Sequence, residues 1–340
     1  MKILVIGLSG AIPELLFGTE RLENIRRLLE FGAYGWLQNI QTSDLASSWL
    51  SMAASQEIDI ADPDKTFNQM KNFGREDAAM IGVEGEPAYI WEQVLSEGRE
   101  FILVGDPRPA YHKNATGVTI GSHRSSATDT TVSSNPPSVM DEIAGLVGDY
   151  PVDVIIDPAG DQKELNDQIY AMSQKQFQVV RHLIATREWG YFQFIEVGVQ
   201  RIQQLFTSQP NAVPDAVALE SKASAAISDY YFHLDQEIGK VLELLADDTI
   251  LLLVSPGGGS GQDGIFILMS ANNPLNGEIQ GLRLIDIAPT LLELGAYQIP
   301  KSMQGKSLVR GLAANPSDTT DLSQDEEAIL RERLSGLGYL

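Results

Sequence analysis

The chain has 340 residues, 43% of them hydrophobic and 21% charged, values ordinary for a globular protein with a large core. Its 46 acidic residues against 24 basic ones give a net charge of −22, and it contains no cysteine. That balance argues against nucleic acid or an anionic membrane as partner, because a phosphate surface demands a basic face, and disulfide and thiolate chemistry are excluded. The plainest reading of the charge is an acidic surface that keeps the protein dispersed.

Met1 leads directly into the apolar run Ile3-Leu-Val-Ile-Gly7, which reads as a strand, with Leu8-Ser9-Gly10 as its exit turn. The N-terminus lacks the basic leader and cleavage site of a signal peptide, and no apolar run approaches the ~20 residues of a spanning helix, so the expected location is the cytoplasm. Leu22 to Phe31 carries apolar residues at helical spacing and stops at Gly32. In the segment 39–49, Thr42, Ser43 or Asp44 is placed to cap the following helix. Residues 59–85 are polar and irregular, and Pro87 to Gly98 reads as a helix that leads to the strand Phe101–Val104. The Ser-, Thr- and Gly-rich stretch 111–137 is expected to be a surface excursion.

Further strands are expected at Val152–Ile156, Trp189–Glu196, Thr249–Val254 and Gly264–Met269. Between and after them lie helical stretches at Gln162–Arg187, Val199–Phe206, Tyr230–Leu245 and Leu284–Gly295. Ile250 to Val254 is apolar without interruption, as in a strand buried on both faces. Alternating strands and helices predict an α/β fold of three layers, a mainly parallel sheet with helices on both faces. It forms one domain over residues 1–312, followed by a linker and C-terminal helical tail over 313–340. Ligand groups in such a sheet gather just past the carboxyl ends of the strands. Those positions are Ser9 after the first strand and Ser255-Pro256-Gly257-Gly258 after Val254. A dinucleotide-binding Rossmann domain is excluded, since no Gly-x-Gly-x-x-Gly follows the first strand.

Several segments carry a resemblance when taken in order: Leu8-Ser9-Gly10, Glu23-Asn24-Ile25 with Phe31-Gly32-Ala33, Val199 to Phe206, Ser255 to Gly258, and Leu284 to Gly295 with Met303-Gln304-Gly305. This ordered set resembles the alkaline phosphatase superfamily, in its type I phosphodiesterase and nucleotide pyrophosphatase branch. The resemblance implies an alkaline phosphatase-like fold and places that branch's metal ligands and nucleophile on definite positions here. The first-turn Asp falls on Ser9, and the nucleophile, four residues before a Trp, falls on Leu45. The Asp and His of the run Asp-Arg-Ile-Gln-His-x-Phe fall on Gln200 and Gln204, one helical turn apart. The Asp and His of Ser-Asp-His-Gly fall on Pro256 and Gly257, and a last His falls near Ser260.

Amides, a hydroxyl and apolar residues are poor zinc ligands, and Leu45 cannot attack phosphorus. The expectation is therefore a catalytically degenerate member that binds a protein partner, with no catalytic metal or other cofactor. Ser9, Thr42, Ser43, Ser255 and Gly258 would border its emptied, polar site. The alternative is a phosphoric ester hydrolase that uses Thr42 or Ser43 at a divergent site, with zinc or another divalent ion. The strongly acidic chain disfavours it, because a phosphate ester entering there would need local cations. His112, His123, His182 and His233 match none of the metal positions.

Overall fold

A computed structural model describes residues 1–38, 45–58, 88–106, 117–126, 129–157, 159–207, 216–257, 263–270 and 275–309. The centre of the molecule is a ten-stranded sheet. Its inner strands are β1 (Lys2–Leu8), β6 (Tyr191–Glu196) and β7 (Thr249–Ser255), which run parallel with β1 in the middle. Every residue of β6 and β7 is buried, so both faces of these strands are covered. The continuous apolar sequence follows from that position, since a strand packed on both sides has no polar face to present.

Outward on one side lie β3 (Phe101–Asp106) and then the hairpin of β4 (Val118–Ser126) and β5 (Asp129–Asn135). On the other side lie β8 (Gly264–Met269) and β2 (Ala33–Gln38), with the two-residue strands β9 (Gly277–Glu278) and β10 (Leu282–Arg283) beside β2. Only the β2–β8, β7–β8 and β4–β5 pairings are antiparallel. The sheet is therefore mainly parallel, as the sequence predicts.

Helices cover both faces. Leu4, Ile6 and Leu8 of β1 face a core built with α1 (Pro13–Gly18), α2 (Glu23–Phe31), α5 (Val139–Val147), α6 (Gln162–Thr186), α7 (Gly198–Thr207) and α8 (Ala216–Leu242). Ile3 and Val5 face a second core built with α3 (Leu45–Ala54), α4 (Ile90–Ser96) and α9 (Ile287–Leu294). The long helix α8 is tied to α2 by the fully buried Asp235. Its carboxylate accepts from the backbone N–H of Ile25 at 2.8 Å and of Asn24 at 3.3 Å, capping from another element a helix whose own Leu22 supplies no cap. The 284–295 segment begins as a 3₁₀ turn over Leu284–Asp286 before α9.

Two expectations are corrected. Residues 152–156 form no strand. They lie outside the sheet, where the Gln176 side-chain amide donates to the carbonyls of Pro151 and Val152 at 2.9 and 3.2 Å, and Val154 enters the helical core. The 111–137 stretch is not a loose excursion where it is described, because Val118–Ser126 and Asp129–Asn135 pair as antiparallel strands, with β4 hydrogen-bonded parallel to β3. Ladder bonds satisfy this Ser- and Thr-rich backbone, and Val118 and Ile120 bury the inner side of β4. The tail expected from 313 onward lies outside the described residues.

Close packing sets the place of α3. The Trp49 ring lies on Gly7 of β1, so near that a Cβ at position 7 would stand 2.4 Å from its Cη2. Gly7→Ala must displace that ring, and the predicted loss is about 1–3 kcal/mol of stability. Thermal or urea unfolding measures it. An unchanged midpoint would show that α3 is free to shift away from the sheet.

Candidate functional site

The expected site lies where β1, β6 and β7 end together. Register places Leu8 opposite Glu196, and Gly7 opposite Val254, so Ser9, Glu196 and Ser255 come from three neighbouring strand ends. The Ser9 N–H donates to the Glu196 carbonyl at 2.9 Å, extending the ladder into the turn. Ser9 and Ser255 are both fully buried, and neither hydroxyl has a hydrogen-bond partner among the described residues. The Trp49 indole N–H, buried beside Gly7, has none either. Unpaired buried polar groups carry a cost, and three of them belong to residues at or beside the ends of β1 and β7. Thr42, Ser43, Gly258 and Ser260 lie outside the described residues. Leu45 stands half-buried at the start of α3, and Pro256 and Gly257 follow β7 in buried positions.

Glu196 is the chemical centre of this end of the sheet and is fully buried. Its Oε1 accepts from the Gly198 N–H at 2.8 Å and from the Tyr230 hydroxyl at 2.7 Å, and its Oε2 accepts from the Val199 N–H at 3.4 Å. The carboxylate thus caps α7 and draws α8 against it. Only glycine fits at position 198, because a Cβ there would lie 1.8 Å from the Tyr230 hydroxyl oxygen. The next residue of α8, Tyr231, accepts from the Ile12 N–H at 2.5 Å, so two consecutive tyrosines hold the exits of β6 and β1. Burial pushes the Glu196 carboxyl above its ordinary value, opposed by the tyrosine, the two N–H groups and the Arg201 charge.

Gln200 and Gln204 ride on α7, and Gln200 faces the first turn. Its Cβ lies 3.3 Å from where a Cβ on Gly10 would stand, and the Gln203 side-chain amide donates to the Gly10 carbonyl at 2.7 Å. The side-chain oxygens of Gln200 and Gln204 turn to one atom of the protein. Arg201 Nη1 donates to both, at 3.2 and 3.0 Å, while its Nε and Nη2 grip Asp153 at 2.6 and 2.7 Å. Arg201 and Asp153 are both buried at these contacts.

Catalytic zinc requires several imidazole, thiolate or carboxylate ligands converging on one point. The positions at issue supply one hydroxyl, two amides already satisfied by Arg201, and the residues Pro256 and Gly257. Among the described residues no three His, Cys, Asp or Glu side chains stand together as a metal would need. His182 is engaged with Glu142 at 2.6 Å, and His233 packs among Tyr170, Tyr230 and Ser173. The donor set does not fit catalytic zinc.

No protein-family model matches the sequence, and no curated protein does. Solved structures do match. The phosphonate monoester hydrolase SpPMH from Silicibacter pomeroyi superposes with a TM-score of 0.56 at 14% identity, covering 93% of this chain and 78% of its own. The lipoteichoic acid synthase LtaP from Listeria monocytogenes gives 0.52 at 12%, covering 90% and 74%. A protein in the alkaline phosphatase superfamily from Vibrio parahaemolyticus gives 0.51 at 10%, covering 91% and 69%. The fold is alkaline phosphatase-like. At these identities the likeness establishes architecture alone.

Sequence reasoning passed over Glu196, Tyr230, Arg201 and Asp153. A charged residue closing the aromatic strand Tyr191–Glu196 was the readable signal for the first, since a carboxylate at the end of a fully buried strand must find donors.

A carboxyl whose folded-state pKa lies above its unfolded value contributes stability that is complete below about pH 4 and is lost as pH rises through the folded value. Glu196→Gln should therefore melt close to the native chain at pH 4 and gain on it steadily toward pH 8. Tyr230→Phe should cost about 1–3 kcal/mol by removing a donor from the buried carboxylate. A Glu196→Gln midpoint that keeps a constant offset from the native one across that range would show that burial does not hold this carboxyl's pKa up.

Proposed function

We propose that this chain is a catalytically degenerate alkaline phosphatase-like protein that works by binding a protein partner. The observation that carries the reading is the turn of both Gln200 and Gln204 oxygens to Arg201. The resemblance puts metal ligands at these two positions, and here their acceptors are taken up by a neutral-to-guanidinium contact inside the protein. Support comes also from Ser9, Pro256 and Gly257, none of which can replace a charged ligand. With no charged ligand set there is no means of lowering the pKa of an attacking hydroxyl, and Leu45 offers none to attack. The net charge of −22 favours a partner with a basic contact face.

A second reading, a phosphoric ester hydrolase acting through Thr42 or Ser43, draws on the structural likeness to a phosphonate monoester hydrolase. The net charge of −22 speaks against it, because an incoming phosphate would need local cations. Among the described residues no helix is long and apolar enough to cross a membrane.

Elemental analysis of the purified protein, with phosphodiester, phosphonate ester and sulfate ester assays in added zinc, manganese or magnesium, separates the readings. The binding reading predicts substoichiometric metal and no turnover above buffer. Stoichiometric metal with turnover abolished by Thr42→Ala or Ser43→Ala would establish the hydrolase.

A further inference from the structure

The guanidinium of Arg201 donates to four side-chain oxygens. Both carboxylate oxygens of Asp153 meet Nε and Nη2 at 2.6 and 2.7 Å, and the two glutamine oxygens meet Nη1 at 3.2 and 3.0 Å. Four oxygens from two segments, 48 residues apart at the Asp153–Arg201 contact, converge on one buried positive charge. We infer that these four oxygens form a cation cradle that this chain fills with its own side chain: Arg201 is a built-in structural cation. It joins the 149–157 segment to α7 and gives that helix a fixed charge that no chelator can remove. An arginine remains charged at every accessible pH, and its planar fork matches a carboxylate in two parallel bonds, which a lysine cannot do. The inference holds whether the chain binds a partner or hydrolyses an ester, because it concerns what occupies these oxygens and not what enters the strand-end site.

Two consequences follow. First, the native chain should gain no stability from divalent ions at this place, since its oxygens are taken. Second, removal of the guanidinium should leave a cradle of one carboxylate and two amide oxygens. Such a set suits a hard cation, calcium or magnesium, or a free guanidinium ion, and not zinc.

The experiment is thermal unfolding of the native chain and of Arg201→Ala, with and without millimolar guanidinium, calcium or magnesium at matched ionic strength. Breaking a buried pair should lower the Tm of Arg201→Ala by roughly 4–7 °C. Guanidinium, or one of the two divalent ions, should restore part of that loss in Arg201→Ala, leave the native Tm unraised, and do nothing for Asp153→Asn/Arg201→Ala. Should Arg201→Ala not fold, Asp153→Asn and Asp153→Asn/Gln204→Glu provide the second arm. The new carboxylate at 204 sits at the Nη1 contact and should recover at least half of the Tm lost in Asp153→Asn. An Arg201→Ala protein that responds to all three cations no more than the native chain overturns the inference, as does a Gln204→Glu change that recovers nothing.

Discussion

A carboxylate without solvent holds the working end of this molecule together. Glu196 ends the central strand β6, and three donors meet it there: two N–H groups at the start of α7 and the hydroxyl of Tyr230 from α8. A buried carboxyl group is tolerated only when such donors satisfy it, so one side chain ties the positions of both helices. From that fixed point α7 carries Gln200, Arg201 and Gln204 past the first turn, and α8 places Tyr231 on the backbone of Ile12. The geometry of the strand-end region is thus set by hydrogen bonds to protein groups.

The same logic explains how an alkaline phosphatase-like architecture is held independently of the side chains at its strand ends. Sheet order, strand register and helix placement depend on apolar burial over β1, β6 and β7, which the identities of Ser9, Gln200 or Pro256 do not touch. Fold and site chemistry are separable for that reason. The site chemistry is local: charge within α7 comes from an arginine paired to Asp153, and two hydroxyls and an indole N–H stand unpaired at or beside the ends of β1 and β7.

The central strands were legible because each is an apolar run buried on both faces. The outer strands were not. In β2, Ala-Tyr-Gly-Trp-Leu-Gln alternates buried and more exposed residues and contains a glycine, so it carries little of the apolar signal. The β4–β5 hairpin is rich in Ser and Thr and owes its place to ladder bonds, which composition does not report. Val152–Ile156 has a strand's composition, yet the Val152 carbonyl accepts from the Gln176 side chain, the Val154 N–H donates to Asp153, and the segment lies outside the sheet. At the site, motif order located Ser9, Pro256 and Gly257 at strand exits and Gln200 and Gln204 on a helix. The partnership of Arg201 with Asp153 was not legible, because 48 residues separate the two and only the tertiary fold brings them together.

We propose that Ser9, Gln200, Gln204, Pro256 and Gly257 hold no catalytic zinc. Anomalous scattering at the zinc edge, from crystals grown with excess zinc, tests it most directly. The account predicts no anomalous peak between Ser9, Gln200, Gln204 and Gly257. A strong peak there, within about 2.0–2.3 Å of side-chain donors, would contradict it.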